Sequence, residues 1–145
     1  MHAWLRYSLL ATATAAGSAH WVAGTDTTPA YYTVAPRRAE HPLLSANQLT
    51  GPYFTHPYQV AAYQMAGLAE KALYAQPCYC RCDQALRHKS LHSCFEGTHG
   101  AECATCMKEG IYTYQQTKLG KTPEQIREGI MKGEAQSIYV QGATL

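Results

Sequence analysis

The chain has 145 residues, a formal net charge of +2, six Cys, seven His and eleven Tyr. That length sets the expectation of one domain, and the charge is too small to argue for nucleic acid or an anionic membrane surface as a partner. The Tyr excess over two Phe and two Trp reads as packing residues whose rings are covered while their hydroxyls stay wet.

Residues 1–19 read as an export signal peptide. Arg6 is the only Lys or Arg there, Leu9 to Ala16 is apolar and small, and Gly17-Ser18-Ala19 offers a small-residue cleavage site. The apolar run is too short and too Thr-rich to span a bilayer. It holds no Cys that could carry a lipid. The expectation is a secreted or periplasmic protein, with membrane anchoring not expected.

Residues 20–51 read as an extended arm. They hold Pro29, Pro36, Pro42 and the run Thr25 to Thr28, with no sustained apolar period. Tyr31, Tyr32, Leu43 and Leu44 are the side chains through which the arm would pack on the helical domain.

Residues 52–145 read as a Cys/His-rich helical domain, so the fold class expected is mainly α with one irregular segment. Thr55-His56-Pro57 makes a helix start, with Pro early in the first turn. From Tyr58 to about Tyr74 the pattern is helical, and Ala61, Met65, Leu68 and Ala72 form one apolar stripe. Gln76-Pro77 ends it, because Pro cannot continue a helix. Asp83 is placed to cap a short helix over Gln84 to His88. A longer helix is expected from about Ala101 to Leu119, with Gly120 at the C-terminal cap position. Thr122-Pro123-Glu124-Gln125 is a capping signature for a last helix carrying Ile126 and Ile130 and ending near Gly133.

All six Cys fall between Cys78 and Cys106, together with His88, His92 and His99. An ordinary core does not gather sulfur in this way. If Cys78-Tyr79-Cys80-Arg81-Cys82 is extended, side chains alternate and the three sulfurs share a face. Cys103 and Cys106 are a C-x-x-C pair at an expected helix start. Residues three apart share a helical face, and the helix N-terminus favours the thiolate over the thiol. Met107 follows, not His, so this is not a haem attachment motif. Met107 reads as core. His99, four residues before Cys103, carries more weight as a ligand than His88, and His92 the least.

Three chemistries are open at this point. Thiolates and imidazoles can hold a metal. Six Cys in an exported chain can form three disulfides, although a bridge within C-x-C is strained. Cys103 and Cys106 can run thiol–disulfide exchange, with the Cys78–Cys82 run as resolving thiols.

The residues Pro77-Cys78-Tyr79-Cys80-Arg81-Cys82, His88, Cys94-Phe95, His99 and Cys103-x-x-Cys106 resemble a family of secreted bacterial proteins named for a PCYCGC motif, also called the CYCXC (seleno)protein family. Leu119 to Thr122 and Glu124 to Arg127 resemble that family's C-terminal helix. The resemblance implies a site made of Cys78, Cys80, Cys82, His88, Cys94, His99, Cys103 and Cys106, and leaves His92 outside it. The chain departs from the pattern by Arg81 where Gly is usual, and by lacking the lipid-anchor Cys of many relatives.

A thiolate-rich set of eight ligands suits copper or zinc, and iron–sulfur units less well in an exported chain. There is no P-loop, dinucleotide glycine motif or H-E-x-x-H. Glu96, Glu102 and Glu109 read as solvated surface, so hydrolase chemistry is not expected and an enzyme, if any, would be a thiol–disulfide oxidoreductase.

Overall fold

The computed structural model describes residues 18–39 and 41–145. The apolar stretch Leu9 to Ala16, on which the expected export signal rests, lies outside the described residues. Six helices carry the fold: α1 (Pro57–Leu68), α2 (Glu70–Leu73), α3 (Cys82–Ala85), α4 (His99–Glu102), α5 (Ala104–Lys118) and α6 (Pro123–Met131). Two short strands, β1 (His20–Val22) and β2 (Tyr31–Val34), pair antiparallel ahead of them. The fold is thus a small, mainly α one. No helix among the described residues is long and apolar enough to cross a membrane.

Helix α1 begins where Pro57 presets the first turn, and Gln59 Oε1 accepts from the His56 amide at 2.9 Å to cap it. It does not run on to Tyr74. Ala69 leaves helical geometry (φ −117°, ψ 18°), and a separate turn, α2, follows. The expected stripe fails at that break: Ala61, Met65 and Ala72 are buried, but Leu68 is 65% exposed. Small side chains make up the difference, because Ala62, Ala66 and Ala69 are all buried and let α1 lie close along α5.

Tyr63 knits α1 to the segments after it. Its hydroxyl donates to the Gly97 carbonyl at 2.6 Å and accepts from the Ala101 amide at 3.1 Å. Its ring meets Phe95 edge-on at 4.9 Å. Phe95 in turn needs Gly110 on α5, where an added Cβ would stand 2.5 Å from the ring.

The C-terminal part follows its sequence signals. Gly120 adopts φ +77°, and the Gly120 and Lys121 amides return to the carbonyls of Thr117 and Gln116, which closes α5 with the glycine turn expected. Thr122 Oγ1 accepts from the Gln125 amide, and the Gln125 side chain accepts from the Thr122 amide. Ile126 and Ile130 are buried against Tyr112 and Ala135. Short 3-10 turns at Glu134–Ser137 and Val140–Gly142 then bring Val140 back onto Met65, Met107 and Ile111.

The arm does not float free. Trp21 donates to the Lys89 carbonyl at 2.9 Å and the Tyr32 amide to the Tyr74 carbonyl at 2.8 Å. Leu43 and Leu44 pack on the main core, and Arg127 stacks over the Tyr31 ring at 4.5 Å. These contacts set the β1–β2 hairpin and the chain after it against the Cys-rich segment.

Candidate metal centre

Pro77 leaves the helical region, and the chain then turns sharply. The Arg81 amide donates to the Cys78 carbonyl at 3.2 Å, and Arg81 itself sits in the left-handed region at φ +61°. The run Cys78 to Cys82 is therefore a tight turn opening α3, not the extended segment that its alternation suggests. The turn brings the sulfurs together by another route, with Cys78 Sγ 3.4 Å from Cys80 Sγ. Gly would take that conformation with no steric penalty. Arg81 is held in that conformation by its side chain: the guanidinium donates to the Thr25 and Asp26 carbonyls at 2.6 and 3.1 Å and pairs with Asp83 at 3.3 Å. Asp83 lies inside the first turn of α3 and does not cap it; its carboxylate also accepts from the Ala30 amide at 3.3 Å.

Cys94 lies in a 3-10 turn, Leu91–Phe95, with its sulfur 3.4 Å from Cys82 Sγ and 3.5 Å from His88 Nδ1. The second half of the site comes from α4 and α5. The expected single helix over this region is broken at Cys103, which adopts extended geometry (φ −117°, ψ 108°) and serves as the residue before α5. His99 opens α4 and presents Nε2 3.7 Å from Cys80 Sγ. Cys106, in the first turn of the 15-residue α5, has its sulfur 3.4 Å from that of Cys78 and 3.6 Å from that of Cys80.

All eight residues singled out from the sequence thus meet in one place. Their ligand atoms fall into four overlapping groups, in each of which the atoms lie within 4.8 Å of one another. Two are groups of four, Cys80-His99-Cys103-Cys106 and Cys82-His88-Cys94-His99. Two are groups of three, Cys78-Cys94-Cys106 and Cys78-Cys80-Cys82. Four sulfurs face away from water: Cys78, Cys82, Cys94 and Cys106 are 0–3% exposed. Cys80, Cys103, His88 and His99 form the partly open edge. A cavity of 270 Å³ lined by Tyr32, His41, Tyr74, Arg87 and Glu96 opens beside His88.

The separations fit coordination by a metal. A tetrahedral ion with sulfur at about 2.3 Å sets its ligands about 3.8 Å apart, close to the 3.4–3.7 Å found here. All six Cys are free thiols. Crowding splits their acidities. The sulfurs of Cys103, Cys106 and Cys78 surround Cys80 and hold its thiol far below the ordinary range, while Cys103, Cys78 and Cys80 around Cys106 push that one up. Cys82 is lowered as well, by Cys106 and Cys78, so two thiolates are stabilised by the S–H groups of neighbours that then resist losing their own protons. Burial lowers the pKa of His88, but its hydrogen bond to Cys82 and the charges of Cys82, Cys80 and Glu96 outweigh this and raise it.

His92 takes no part. It is fully buried, stacked on Tyr74 at 3.9 Å, and its two nitrogens face Glu96 at 2.8 Å and Glu70 at 3.4 Å. Glu109 is the residue that sequence reasoning misplaced. It is fully buried, and its carboxylate accepts from the Tyr79 amide at 3.1 Å, fixing the Cys78–Cys80 turn from beneath. Burial pushes its pKa up to about 8. The signal was available: Glu109 is three residues after Cys106 on the same helix, hence on the same face.

Fold and site together define a small, mainly α protein built around Cys/His groups that could hold a metal ion. The chain matches no family model, no curated protein and no solved structure.

Proposed function

We propose that this is an exported protein that holds a soft metal, copper or zinc, through the thiolates of Cys78, Cys80, Cys82, Cys94, Cys103 and Cys106 and the imidazoles of His88 and His99. One observation carries the reading. Six sulfurs and two imidazole nitrogens from four separate segments converge, and the four most central sulfurs are buried. Thiolates of this kind select soft or borderline metals, and burying them without a cation would be costly. The resemblance to the PCYCGC family and the apolar N-terminal run support export.

A disulfide-stapled or thiol–disulfide exchange protein is the second reading. The Cys82–Cys94 and Cys78–Cys106 sulfur pairs, each at 3.4 Å, favour it. It leaves unexplained why His88 and His99 point their ring nitrogens at Cys94 and Cys80. Elemental analysis of anaerobically purified protein, with intact mass after alkylation under denaturing conditions without reductant, tests the two. Bound copper or zinc with every thiol alkylated supports the metal reading. Metal-free protein that lacks six protons and takes no alkylation overturns it.

A further inference from the structure

We infer that the centre is polynuclear: several Cu(I) ions share bridging thiolates, in place of isolated single-ion sites. The inference rests on the soft-metal reading above and goes beyond it in nuclearity and in the choice of ion.

Two separate four-coordinate sites need eight ligands in two disjoint groups. The two groups of four share His99, and neither includes Cys78. Cys78 belongs instead to both groups of three. Cys80, Cys82, Cys94 and Cys106 each belong to two groups, and only Cys103 and His88 belong to one. Sharing therefore falls almost wholly on sulfur. A thiolate has lone pairs for more than one metal, whereas a neutral imidazole nitrogen has one. The groups overlap in the way that bridging sulfurs and terminal Cys103 and His88 would require.

Structural zinc takes closed tetrahedral sets of four. The Cys78-Cys94-Cys106 and Cys78-Cys80-Cys82 groups are all-sulfur triangles. A soft monovalent ion that accepts trigonal thiolate coordination fits them, and soft sulfur favours Cu(I).

Six thiolates in a largely dry site carry six negative charges, and a single cation would leave most of them uncompensated. Arg81 is the basic side chain within the Cys78–Cys82 run, and it is turned elsewhere, its guanidinium going to Thr25, Asp26 and Asp83. Both groups of four draw on His99, which can serve only one ion, so one group of four and the two groups of three can be filled together, and three Cu(I) would leave three of the six negative charges. Loading moves no electron: each Cu(I) keeps its oxidation state, and each Cys sulfur exchanges its proton, released to the buffer, for bonds to copper.

The experiment is an anaerobic titration of the reduced full chain with Cu(I), buffered by bicinchoninate and read by native mass spectrometry and luminescence. Expected are species with several ions, populated ahead of the one-copper form. The red emission of water-shielded Cu(I)–thiolate clusters should accompany them. Cys78→Ser, which touches both groups of three, should reduce the number of ions bound more than Cys103→Ser, which touches one group. The count on the unsubstituted chain decides the matter even if Cys78→Ser fails to fold. Uptake that stops at one Cu(I) overturns the polynuclear centre and leaves the soft-metal function standing. No uptake of Cu(I), with one zinc bound, overturns it likewise, and no uptake of either metal sinks both.

Discussion

Two parts of this core are equally well buried and differently held. Around Phe95, the cluster of Leu73, Leu91, Tyr63 and Ala101 is completed by Cys78, Cys82, Cys94 and Cys106. Around α6, Ile126, Ile130, Tyr112 and Ala135 pack with no sulfur among them. The second cluster is stabilised by apolar burial, of about 25 cal/mol per Å², by the Tyr112 hydroxyl donating to the Glu134 carboxylate, and by ordinary helix caps. The first joins turns and very short helices (α3 and α4 have four residues each), which are too short to be stable by themselves. Its sulfurs are packing atoms that, under the proposed function, also serve as ligands. A domain this small can use a metal in place of missing apolar area.

Withdrawing the metal should divide the two regions most sharply. Treating the loaded protein with a strong chelator should lower Tm by more than about 10 °C, because a structural metal contributes on the order of 10 kcal/mol in small domains and each kcal/mol is worth a few degrees. Amide exchange should then rise steeply from Cys78 to Cys103 and much less over α6. Uniform loss of protection across both regions, or none, would contradict the division. Lowering the pH should mimic the chelator, since protons compete with metal for thiolates.

The converse substitution probes the other side. Ile126→Ala empties space in the sulfur-free cluster and should cost about 2–5 kcal/mol in denaturant unfolding. Metal stoichiometry should stay unchanged. If the variant also loses metal, the two regions are one cooperative unit.

Gly110→Ala tests the seam between them. The new methyl would meet Phe95 at 2.5 Å, and overpacking of this kind costs about 1–3 kcal/mol. Phe95 directly follows Cys94, so displacing its ring should also shift the Cys94 sulfur. We expect lower Tm together with faster metal transfer to a competing chelator. A stability loss with transfer unchanged would show that Phe95 does not hold Cys94 in register.

These regions also differ in how far they could be read from residues alone. The α6 cap, Gly120 and the buried Ile pair were legible because each depends on local chemistry: a hydroxyl three residues before an amide, a residue free to take positive φ, two branched side chains one turn apart. The gathering of the six Cys with His88 and His99 was legible from their clustering in the sequence. Its geometry was not. Alternating Cys suggested an extended run, but backbone conformation at one residue, Arg81, converts it to a turn, and the bonds that hold Arg81 come from Thr25 and Asp26, more than fifty positions away. Leu68 looked buried on a continuous stripe because nothing local announces the break at Ala69. Glu109 looked solvated because a carboxylate usually is; only its shared face with Cys106 hinted otherwise.

The smallest effect should come from the start of α6, far from any sulfur. Thr122→Ala removes the side-chain acceptor for the Gln125 amide and should cost about 1 kcal/mol. Glu124 adds a pH signature. Its pKa lies below the ordinary carboxylate value because its own backbone amide and the Thr122 side chain bond the ionised form, with Arg127 adding a weaker attraction. The folded-state pKa is thus depressed relative to the unfolded chain. Its contribution is therefore present above the ordinary carboxylate range, about 4.3, and is lost as pH falls through the folded value. The side chain is largely solvated, so the contribution is small. Glu124→Gln should accordingly lower stability slightly at pH 7 and by less at pH 3, measured on metal-free protein so that thiolate protonation does not enter. A Glu124→Gln deficit that persists undiminished at pH 3 would assign the effect to helix propensity and not to charge at the helix start.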